Sequence, residues 1–172
     1  MKQSSALTAA WVFLHILILL NWLFGAAVLA LVTATVVARE WTMTALGIPL
    51  SSEIRTLLSG LQVIAALGLI AVPLYYFILK RLLAIVATVR IGDPFVAANA
   101  DRLKAIGWVL VALQLLSIVI AAVGKMVSTK TMPVHLDAGF STSGWLAVLL
   151  AFVLAQVFAE GARMRDDLVG TV

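Results

Sequence analysis

Cysteine is absent from the 172-residue chain, which excludes disulfides, thiolate metal sites and cysteine nucleophiles. Histidine is scarce too: His15 and His135 are the two present, too few for most metal sites without carboxylate help. Charge is thin, at 12% of residues, while 63% are hydrophobic and the mean hydropathy is +1.13. A soluble domain carries about twice that charge, so the composition is that of an integral membrane protein. The charges sum to +4. With no Lys/Arg block resembling a DNA-binding arm, that excess reports topology and contact with membrane lipids rather than direct nucleic-acid binding.

What the chain has instead is long apolar runs. Four segments, residues 8–36, 57–79, 105–124 and 143–160, approach or exceed the ~20 residues that take a helix across ~30 Å of hydrocarbon. Isolated strands cannot satisfy their backbone in lipid. The expected fold is therefore all-α, a single domain over residues 1–172 forming an integral membrane bundle of four transmembrane helices. The first run has the outline of a secretory signal, with Lys2 ahead of it and Ala26, Ala27 and Ala30 within it. It is more than twice the usual ~7–15-residue signal core, which favours an uncleaved spanning helix. Lys and Arg outside the runs divide eight (Lys2, Lys80, Arg81, Arg90, Arg102, Lys104, Arg163, Arg165) against four (Arg39, Arg55, Lys125, Lys130). The positive-inside rule then makes both termini, the loop 80–104 and the tail 161–172 cytoplasmic. Trp11 and Trp108 fall near one face and Trp41 and Trp145 near the other, as interfacial belts require; Trp22 is expected to pack between helices.

Alanine recurs every fourth residue at Ala147, Ala151, Ala155 and Ala159, and again at Ala26, Ala30, Ala34 and Ala38. Small residues at that spacing let helix backbones approach closely in lipid, and the two ridges are expected to pair the first helix with the fourth. Pro73 removes a backbone donor and clashes one turn back, so a bend is expected there. Ser51 or Ser52 ahead of Glu53 suits an amino cap, and Met132-Pro133 and Asp137-Ala138-Gly139 mark turns.

No Asp, Glu, Lys or Arg lies inside the apolar runs, with Glu160 marking the close of the fourth. Intramembrane charge is the usual mark of ion relays and proton pumps, so an ion-coupled transporter is not expected. The polar residues within the runs are His15, Asn21, Gln62, Gln114 and Gln156. By depth, Asn21 matches Gln114 near mid-membrane and His15 matches Gln156 in the inner half. At least one of these pairs is expected to hydrogen-bond between helices and hold the bundle together. The sharper alternative is a polar site for a lipid headgroup, quinone or amphipathic metabolite. His15 and His135 fall on opposite sides, which excludes paired haem ligation within one chain. Asp93, Asp101, Glu160, Asp166 and Asp167 lie at or beyond the surface among basic residues. Asp101 with Lys104, and Arg163 with Asp166 or Asp167, have helical ion-pair spacing. With no nucleophile–base pair and no phosphate-cradling glycine loop, no enzyme activity, cofactor or metal is expected.

One polar stretch carries local chemistry of its own. In Ile91-Gly92-Asp93-Pro94-Phe95, glycine suits a helix stop, aspartate an amino cap and proline the first helical position. The expected geometry is a corner: one helix leaves the membrane through Arg90, and the next runs through Asn99, Arg102 and Lys104 into the third span. Such a corner accounts for Gly92, Asp93 and Pro94, but not for Phe95, Asn99 or Arg102.

Gly92-Asp93-Pro94-Phe95, Asn99, Arg102-Leu103 and Ile106-Gly107 resemble the Gly-x-Pro-Phe…Asn…Arg-Leu…Ile-Gly signature of a bacterial membrane family, domain-of-unknown-function family 2975. The tail from Val157 to Asp167, with Thr171-Val172, resembles that family's closing segment. The resemblance implies a small multi-pass protein of the bacterial inner (cytoplasmic) membrane. Many members are encoded beside a small Cro/C1-type helix-turn-helix regulator, so it also implies a chain that holds or modulates such a regulator. It implies no catalytic residues, and the Ala-rich, strongly apolar first helix departs from the family pattern.

The leading expectation is a non-enzymatic regulatory or sensor protein. Its partner-docking residues would be Asp93, Phe95, Asn99, Arg102, Glu160 and Arg163, on two segments expected to meet because three helices end on that side. The rival is a small transporter or a lipid- or small-molecule-binding protein, with a cavity bordered by Asn21, Gln62 and Gln114. A structural subunit of a larger complex would instead show exposed small-residue ridges, and homo-oligomers are left open.

Overall fold

A computed structural model of the chain describes residues 5–37, 52–128 and 138–170. These form four helices: α1 (Ser5–Val37), α2 (Ser52–Arg90), α3 (Ala97–Val127) and α4 (Thr142–Gly170). All four are long and apolar enough to cross a membrane, and no strand occurs among the described residues. The all-α, four-span reading holds. Two helices overrun their apolar segments, α2 to Arg90 and α4 to Gly170, because no proline interrupts either chain segment beyond its last apolar turn.

Each helix packs on its neighbour in sequence: α1 on α2, α2 on α3 and α3 on α4, with no other helix pair in contact among the described residues. The arrangement is a row rather than a closed ring. The expected pairing of the first and fourth helices therefore does not form. Ala151 and Ala155 are buried, but they face α3, whereas Ala26, Ala30 and Ala34 are exposed. A small-residue ridge favours close approach without naming the helix that approaches, and short connections give sequence neighbours the advantage.

Burial is concentrated in the first half of α3, at Asn99, Ala100, Leu103, Ile106 and Gly107. That is the end at which the Lys/Arg-rich corner and tail lie. Elsewhere large apolar side chains such as Leu19, Leu23, Phe24 and Leu31 face outward, as suits a lipid-facing surface. Helix α2 runs unbroken through Pro73, and beside it the Asn21 amide donates to the Val72 carbonyl at 3.0 Å. Trp22 is not enclosed between helices: 51% of it is exposed, and its ring lies 5.5 Å from that of Tyr76. Gly139 has φ +125° at a bend, while Asp137, the start of the expected turn, lies outside the described residues. Ala38, Trp41, the Ser51 cap, the Met132-Pro133 turn and His135 lie outside the described residues.

Candidate functional site

The corner between α2 and α3 begins with a glycine-terminated helix end. Gly92 has φ +87°, a left-handed conformation that a Cβ would disfavour. Its N–H donates to the Val89 carbonyl at 3.1 Å, and the Asp93 N–H donates to the Thr88 carbonyl at 3.0 Å. This is the paired hydrogen-bond pattern of a Schellman motif, which satisfies carbonyls that a helix end leaves unpaired.

Helix α3 does not begin at Pro94. Its amino cap is Val96, in extended conformation and without a side-chain cap bond. Asp93, expected as the cap, instead pairs its carboxylate with the Arg165 guanidinium of α4. A cap is a local preference of about 1 kcal/mol, which one charge-assisted contact can match, so a distant arginine redirects the side chain.

Asn99 is the hub of the corner and is fully buried, at 0% exposure. Its Nδ2 donates to Thr88 Oγ1 at 2.7 Å and to the Pro94 carbonyl at 2.8 Å. Its Oδ1 accepts from Arg102 Nη1 at 2.7 Å. Thr88 Oγ1 in turn donates to the Ile85 carbonyl at 2.7 Å. One side chain thus joins the end of α2, the extended link and the first turns of α3.

The tail of α4 closes over this corner. The Phe95 and Phe158 rings lie 5.5 Å apart. Gly161 gives Phe95 its room, since a Cβ there would come within 2.6 Å of the ring. Three separate elements therefore meet at one end of the row.

The model of a family described as "Protein of unknown function (DUF2975)" matches residues 39–172, a stretch that takes in α2, α3, α4, the corner and the tail. The chain belongs to this family. No curated protein and no solved structure matches it. Within this DUF2975 chain, α1 is the helix that precedes the matched stretch.

The outward side of the DUF2975 corner is mixed. Ile91 is 78% exposed, and Met164 and Phe95 are exposed as well. Glu160 and Arg163 form a solvent-facing ion pair at 2.6 Å. No ion pair joins Asp101 to Lys104 among the described residues, although their spacing allows one; exposed pairs gain little from forming. Asp93, Phe95, Arg102, Glu160 and Arg163 are gathered at this end, and the two segments meet as expected. Asn99 is the exception, because a fully buried amide offers no surface to a partner.

The intramembrane residues do not pair as expected. His15 Nδ1 lies 2.9 Å from the Trp11 carbonyl of its own helix, and Gln156 is exposed on α4, a helix α1 does not touch. Asn21 bonds the α2 backbone rather than Gln114. Gln114 lies against Gly144 of α4, and Gln62 is half-buried on α2. Asn21 borders an apolar groove of about 360 Å³ with Leu17, Leu20, Phe24, Tyr75, Ile78 and Leu79, to which Gln62 and Gln114 do not contribute.

Sequence reasoning passed over Thr88 as part of the corner and, although the tail was expected to meet the corner, named no contact for Phe158, Gly161 or Arg165. Thr88 had a local signal, four residues ahead of the stop glycine. The other three are set by the fold of α4 back onto the corner, which no local pattern encodes.

Proposed function

We propose that the chain is a non-enzymatic regulatory or sensor protein of the bacterial inner membrane, whose corner and α4 tail form a cytosolic platform for a soluble partner. The observation that carries this reading is the docking of the α4 tail onto the corner, through Asp93 with Arg165 and Phe95 with Phe158. It presents Ile91, Phe95 and Met164 as exposed apolar groups beside the Glu160–Arg163 pair. Apolar anchors within a polar rim are the usual composition of a protein-binding surface. The eight-to-four distribution of Lys and Arg supports a cytosolic position for this end. The family resemblance suggests a small helix-turn-helix regulator as the partner.

The test is co-sedimentation of the host's small helix-turn-helix regulator with membranes carrying the full chain. Met164→Asp and Arg163→Glu alter exposed side chains, so each is expected to release the regulator while leaving the thermal midpoint of the membrane protein unchanged. A regulator that stays soluble with the unaltered chain, or stays bound to both variants, contradicts the proposal.

A further inference from the structure

A second feature lies between α3 and α4. It is a half-open groove of about 330 Å³ lined by Ala100, Asp101, Lys104, Phe152, Ala155, Gln156 and Ala159, within the size range of small-molecule sites. Ala100 and Ala155 are buried and form its floor, while Asp101, Lys104 and Gln156 are exposed at its rim. Trp108 sets its depth: it is 60% exposed and meets Phe152 edge-on at 5.5 Å, as an interfacial tryptophan would.

The order of groups along the groove follows from the helix register. Lys104 lies one turn beyond Trp108, about 6 Å further out, and Asp101 almost another turn beyond that. Gly107 lies against Phe152, so the antiparallel α4 brings Gln156 to the level of Lys104. From the membrane outward, the groove presents aromatic carbon, then a cation with an amide, then an anion.

We infer that this groove holds the headgroup of a zwitterionic aminophospholipid. The acyl region lies along Phe152 and Trp108, the phosphate faces Lys104 and Gln156, and the terminal ammonium faces Asp101. One acid and one base make the rim neutral overall, which matches a zwitterion better than an anionic lipid. A primary ammonium can donate hydrogen bonds to the Asp101 carboxylate, which a quaternary one cannot.

The experiment is native mass spectrometry of the full chain in detergent, titrated with phosphatidylethanolamine, phosphatidylcholine and phosphatidylglycerol of matched acyl chains. The unaltered protein is expected to retain phosphatidylethanolamine most strongly. Asp101→Asn should weaken that binding roughly three- to fivefold, Asp101→Glu should retain it, and Lys104→Gln should weaken all three lipids. Lys125→Gln, at the opposite end of α3, should change none. Preferential binding of phosphatidylglycerol, or equal binding of phosphatidylethanolamine by Asp101→Asn and the unaltered chain, would overturn the inference.

Discussion

Asn99 shows how a single buried amide organises this protein. Its three side-chain hydrogen bonds connect Thr88, Pro94 and Arg102, so Asn99→Leu leaves polar groups of three segments without that partner. The expected loss is about 1–3 kcal/mol, read as a lower thermal midpoint in detergent; an unchanged midpoint would remove Asn99 from the role of hub. Gly92→Ala places a Cβ at φ +87° and is expected to cost about 1–2 kcal/mol in the same assay. Asn21→Leu removes the bond to Val72 and should cost less, about 0.6–1.7 kcal/mol.

At the scale of helices, the two alanine ridges have different fates. Ala151 and Ala155 are buried against α3, whereas Ala26, Ala30 and Ala34 are exposed. Ala151→Leu should therefore overpack the α3–α4 contact and cost about 1–3 kcal/mol, while Ala30→Leu should leave the midpoint unchanged. Equal effects would contradict the row. Helix positions were legible in the sequence because twenty-residue apolar runs leave few alternatives in lipid, and Gly92 was legible because its conformation is a local requirement. Partner choice was not. Asp93 reads as a cap until Arg165 arrives from 72 residues away, and the Ala ridges carry no record of which helix they meet.

On the scale of the whole molecule, the described residues form a row of four helices whose best-buried end is also its Lys/Arg-rich end. That coincidence underlies the proposed platform, a corner closed by the α4 tail that the charge distribution is expected to place on the cytosolic side. The absence of cysteine makes a direct measurement available, with single cysteines placed by Ile91→Cys, Met164→Cys and Ala162→Cys. Ile91 and Met164 are exposed and Ala162 is 4% exposed. With a membrane-impermeant maleimide, the first two are expected to label in inverted membrane vesicles and not in intact cells, and Ala162→Cys to label in neither. Labelling of Ile91→Cys or Met164→Cys from outside intact cells would contradict the cytosolic platform.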